Sequence, residues 1–84
     1  MILKQYLFQK LIDQIKNNKS DLDLMISQYT SMVEITKEIS KIPECINHVD
    51  SMISNLSEMK KTIKSMLYKT ESLVEIYKDI IKNS

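Results

Sequence analysis

A seven-residue repeat of apolar side chains runs through most of this chain, and few folds can accommodate it. One column reads Met25, Met32, Ile39, Ile46, Ile53, Lys60, Leu67, Val74 and Ile81. A second column, three residues further on, reads Ile35, Ile42, Val49, Leu56, Ile63, Thr70 and Tyr77. Sustained alternation of three- and four-residue steps marks a helix that packs along a seam. Lys60 and Thr70 are the polar entries, and Gln28, one heptad before Ile35, weakens the second column at its start. The expectation is an all-α chain.

A third column lies beside the first: Cys45, Met52, Met59, Met66, Leu73 and Ile80. A two-stranded coiled coil needs two apolar columns with charged flanks. Three columns suit a helix with two or more neighbours, as in a coiled-coil bundle. The candidate partner-binding residues are therefore the members of the three columns from Ile39 to Ile81, Thr70 excepted. The methionines read first as ordinary packing, although their flexible thioethers also suit several partner surfaces. Lys60 between Ile53 and Leu67 either meets an acidic residue of a partner helix or packs its stem and sends its ammonium to water.

Pro43 falls inside this pattern. It has no N–H to give the carbonyl of Ile39, a loss of about 3 kcal/mol in a helix interior. Yet Ile39, Ile42, Ile46 and Val49 keep the alternating spacing across it, which favours a kinked but continuous helix. The rival places Pro43 in the first turn of a new helix, where its fixed φ is tolerated.

Upstream, Leu3, Leu7, Leu11 and Ile15 form one face with Phe8 and Ile12 beside it. "KNNKSD" interrupts that face, and Ser20 with Asp23 resembles a capping box. The expected organisation is a short amphipathic helix over residues 1–16, a turn at 17–20, and a long helix over 21–82 bent or broken near residue 43. A long helix of about 60 residues would reach about 90 Å, far more than the first helix covers. Such a stripe needs other helices to bury it.

Gly, Ala, Arg and Trp are absent. Without Gly, multi-turn β folds and Gly-rich phosphate loops are disfavoured. The net charge of +1 supplies no overall field for nucleic acid or membrane, although lysines crowd residues 1–19 and 60–69 and acids crowd 34–58. A single cysteine excludes an internal disulfide framework and fits a reducing, cytoplasmic setting. No apolar run reaches the roughly 20 residues needed to span a bilayer, and the lysine-interrupted start lacks the pattern of a signal peptide.

Chemistry is hard to place on this pattern. His48 is the only histidine and lies off the columns. Cys45 and His48 are three residues apart, but a structural zinc site needs four ligands. Glu34, Glu38 and Glu44 read as a solvated face, since acid–base work needs a pocket. Lys60, Lys61, Lys64 and Lys69 form a basic patch without the Arg or aromatic readers of nucleic-acid binding. No catalytic residue, cofactor or metal is expected, and no nucleic-acid partner. Lys4, Lys10 and Lys16 leave a membrane-surface contact through residues 1–16 as one reading.

With Ile42, Pro43, Glu44, Cys45 and Ile46 entering a long heptad helix, residues 39–81 resemble the small coiled-coil subunits of the biogenesis of lysosome-related organelles complex and its lysosome-positioning relative. Glu44 stands where that family's comparable entry has a basic residue, and this chain is shorter and lacks the family's frequent Ala. The resemblance implies a non-enzymatic subunit of a rod-like hetero-oligomer in endosome-to-lysosome traffic, cytoplasmic or peripheral on those membranes. Two other readings stand beside it: a self-assembling structural coiled coil, viral or from a parasite, and a membrane-associated adaptor using the N-terminal helix.

Overall fold

The computed structural model describes residues 2–83. Residue 1 of the expected N-terminal helix and the side chain of Ile2 lie outside the described part. The chain is all-α: helix α1 spans Ile2–Ile39, a 3-10 turn spans Pro43–Cys45, and helix α2 spans Ile46–Lys82. The two long helices lie side by side and antiparallel. Phe8 near one end of α1 meets Tyr77 near the far end of α2, edge to face, with ring centroids 5.9 Å apart. Further along the same pair, Met25 and Met59 line one groove. The molecule is a hairpin 65 Å long and about 15 Å across, and α1 alone accounts for about 57 Å of that at 1.5 Å per residue.

Two expectations change. Residues 17–20, expected as a turn, are helical, and α1 runs through them without interruption. The reason is visible in the burial pattern. Covered or half-covered side chains on α1 follow Phe8, Leu11, Ile15, Asn18, Leu22, Met25, Tyr29, Met32, Thr36 and Ile39, an unbroken run of three- and four-residue steps. Asn18 occupies one of these positions, 8% exposed, and its Oδ1 accepts a hydrogen bond of 2.9 Å from Gln14 Nε2. A satisfied polar side chain inside the seam does not end a helix. Turn-favouring composition is a weak prior that packing along a whole face overrides.

The second change concerns Pro43. The helix does not continue through it with a kink; the chain reverses there. Ile42 is extended (φ −99°, ψ 112°), as the residue before a proline prefers. The carbonyl of Ile39, which Pro43 cannot serve, instead accepts the N–H of Ile42 at 3.0 Å, and the carbonyl of Ile42 accepts that of Cys45 at 3.0 Å. Ser40 N–H reaches the Thr36 carbonyl at 2.9 Å. The bend thus satisfies its own backbone. It does so with no positive φ among the described residues, so a tight helical hairpin forms here without glycine. The conserved spacing of Ile39, Ile42, Ile46 and Val49 is not one face: Ile42 and Ile46 are 42% and 59% exposed.

On α2 the half-covered side chains are Val49, Met52, Leu56, Met59, Ile63, Met66, Leu73, Val74 and Tyr77, with Thr70 the most buried at 3%. Thr70 lines a groove with Lys19 and Leu22 of α1. Thr70 Oγ1 donates to the Met66 carbonyl at 2.8 Å, and Thr36 Oγ1 to that of Met32 at 2.7 Å, so buried hydroxyls along the seam are paired within their own helices.

Two helices cannot surround a core. Ile15 and Leu22 are the buried apolar residues among those described. The radius of gyration is 19.0 Å, against about 12 Å for a compact chain of this length.

Candidate functional site

The hairpin seam uses the second and third apolar columns of α2, and leaves most of the first outside. Cys45, Val49, Met52, Leu56, Met59, Ile63, Met66, Leu73 and Tyr77 turn toward α1 and are half-buried. Ile39 meets this seam from the end of α1. Ile46, Ile53 and Leu67 are 59%, 53% and 46% exposed. Lys60 is exposed with them, and Val74 is half-covered. Ile42 sits exposed on the bend, and Ile80 and Ile81 are exposed near the end of α2.

The exposed column does not stand alone. On α1, each residue one step beyond the matching seam position is Ile12, Lys19, Ile26 or Val33. In an antiparallel pair these positions fall on the same side as the exposed column of α2. The structure brings them together: Ile12 and Val74 line one groove with Lys19, Lys16 and Lys78, and Lys19 lines the next with Leu67, Val74, Glu71 and Glu75. Two parallel apolar rails therefore run along one side of the hairpin. Their rows pair Ile12 with Val74, Lys19 with Leu67, Ile26 with Lys60, and Val33 with Ile53. Ile26 is 48% exposed and Val33 half-covered. This composite ridge could not be read from α2 alone, because its α1 half lies upstream of the region where the repeat is strongest.

The opposite side of the seam differs in character. Its positions include Gln14, Asp21, Gln28, Asn55, Thr62 and Lys69, and the grooves there are lined by Gln28 with Thr62 and by Gln14 with Lys69. Exposed apolar residues on it lie toward its ends, at Leu7, Ile35 and Ile76, and Leu24 borders its middle.

Charge divides in the same way. The ridge and the helix positions bordering it carry six lysines (16, 19, 37, 60, 64 and 78) and three acids (23, 50 and 71). The opposite side and its border carry two lysines (10 and 69) and four acids (21, 38, 58 and 79). On the ridge itself the only ionised groups are Lys19 and Lys60, near its middle. Ion pairs among the described residues join Lys37 to Glu34, Lys41 to Glu38, Lys61 to Glu58 and Lys78 to Glu75. All have side chains 66–72% exposed, so each contributes a few tenths of a kcal/mol, about 0.3–0.5, at most. Lys19 and Lys60 are in none of them.

Of the residues considered for chemistry, His48 is exposed and Cys45 half-covered; no group of three or more His, Cys, Asp or Glu placed to hold a metal comes together among the described residues. Lys4 lies 6.0 Å from the ring centre of half-covered Phe8, and Lys10 5.3 Å from that of exposed Tyr6, within range of cation–π attraction. No described helix is long and apolar enough to cross a membrane.

Compared with protein-family models, curated proteins and solved structures, the chain finds no match.

Proposed function

We propose that this chain is a non-enzymatic interaction subunit: a preformed helical hairpin that takes its place in a larger assembly of helices. The observation that carries this reading is the ridge of Ile12, Ile26, Val33, Ile46, Ile53 and Leu67, apolar along one side of the hairpin and half-open to solvent. The surface balance supports it. The chain exposes 6729 Å², whereas a compact monomer of this mass exposes about 5,200 Å². The surplus exceeds the roughly 800 Å² that each partner contributes to a standard interface. A hetero-oligomer is favoured over self-assembly, because the side with the apolar rails also carries the excess of lysine. The narrower form of the proposal places the assembly in endosome-to-lysosome traffic; it rests on the resemblance of residues 39–81 alone.

Light scattering on the purified chain, together with co-purification of the tagged chain from its native host, tests the reading. A subunit recovers a constant set of helical proteins and melts at a higher temperature in their company. A cooperatively melting monomer at high concentration that recovers nothing would refute it.

A further inference from the structure

We infer that the ridge is the seat of one amphipathic helix with acidic flanks, supplied by a different chain, which converts the hairpin into a three-helix bundle. This rests on the reading of the protein as an assembly subunit and specifies which side does the work and what it recognises.

Geometry gives the shape of the occupant. The two rails keep the seven-residue period of the seam and run parallel to it, so the valley between them is straight and periodic. Groove segments along it are lined by Ile12 with Val74, and by Lys19 with Leu67. A third helix can set its own apolar residues between successive rows at the same repeat. The missing burial is of the right kind: each helix of the hairpin already hides one strip, and the ridge is the strip that a third helix of a bundle hides.

Charge identifies the partner. Lys19 and Lys60 stand near the middle of the ridge, in mixed rows opposite Leu67 and Ile26, and neither is in an ion pair among the described residues. A helix lying in the valley brings its flanking positions over these two ammonium groups. Glutamate or aspartate there gains a partner, and lysine there is repelled. A second copy of this chain fits poorly. Ridge on ridge apposes two lysine-rich sides. The acid-rich side of a second copy offers Gln14, Asp21, Gln28 and Thr62 where apolar residues are needed. A membrane surface fits poorly too, because an interfacial helix keeps its lysines on the polar face, whereas here they interrupt the apolar strip.

The test uses the full chain and two labelled synthetic helices of about four heptads, long enough to show the repeat. Their apolar seams are identical; one carries Glu and the other Lys on the flanks. The acidic helix is expected to bind about tenfold more tightly at low salt, a difference equivalent to about 1.4 kcal/mol, with the gap narrowing as salt screens it. The Lys19→Glu, Lys60→Glu double variant should reverse the preference. Ile53→Ser with Leu67→Ser should abolish binding of both, whereas Ile35→Ser with Ile76→Ser, on the opposite side, should leave it intact. All four apolar residues are 46–53% exposed, so these variants retain the hairpin, as circular dichroism will show. Equal binding of the two helices, or loss of binding only from the opposite side, overturns the inference. So does a homodimer of the wild-type chain that Ile53→Ser with Leu67→Ser dissolves, or ridge-dependent flotation on phosphatidylcholine–phosphatidylserine vesicles. If the ridge variant still recovers the native partners, the ridge assignment falls and the subunit reading stands. If the wild type recovers no partner and binds neither helix, both fall.

Discussion

Leu22→Ala and Leu24→Ala differ by two positions in one helix and should differ greatly in effect. Leu22 is 7% exposed in the seam, and Leu24 is 58% exposed on the outside of α1. Truncating a buried leucine removes its transfer free energy and leaves a cavity, costing about 2–5 kcal/mol. Here the lower part of that range applies, about 2–3 kcal/mol, because a two-helix seam is open at its edges and can partly collapse or admit water. For a domain of this size each kcal/mol moves the melting temperature by about 4–8 °C, so Leu22→Ala should lower it by about 10–20 °C. Leu24→Ala loses little burial and gains slightly in helix propensity, so its effect should stay within about 0.5 kcal/mol. The assay is thermal melting by circular dichroism at one fixed concentration, with an excluded osmolyte in the buffer to hold the variants in range. Equal losses at the two positions would mean that α1 is packed in a different rotation, and the seam described here would be wrong.

Other outcomes follow from the same structure. Asn18→Leu replaces a buried polar side chain of the seam and should raise the melting temperature. It should also broaden the register, seen as a mixture of states by crosslinking between cysteines placed on the two helices, because a polar position in a seam commonly fixes alignment. Pro43→Ala restores an N–H at the bend and frees Ile42 to become helical. It should increase the fraction of a domain-swapped dimer built from opened hairpins, measured by sedimentation at rising concentration. A Pro43→Ala protein that stays wholly monomeric would show that the bend is fixed by the seam alone. Glu58→Gln removes the 3.3 Å contact with Lys61 and should change stability by less than about 0.5 kcal/mol, since both side chains are exposed.

The repeat itself determined that the chain is helical and that its helices pack lengthwise. Absence of glycine did not prevent a tight reversal, because the bend is made from an extended Ile42, a proline and a short 3-10 turn, none of which needs a left-handed residue. The chain also shows where periodicity stops being informative. Ile39, Ile42, Ile46 and Val49 have a spacing identical to that of one helical face, yet Ile39 ends one helix, Ile42 lies in the bend, Ile46 and Val49 open the next helix, and two of the four are outside. Spacing carries no record of a reversal when the reversal happens to preserve phase. Asn18 is the converse case: locally it resembles a turn residue, and only the pairing of α1 with α2 makes it part of a seam. The ridge depends on that pairing most of all. Ile12 and Val74 are far apart in sequence, and each is one apolar residue on the edge of its own helix. Antiparallel packing sets them side by side, because it fixes which edge of each helix faces the same way, and that is a property of the pair that neither helix carries alone.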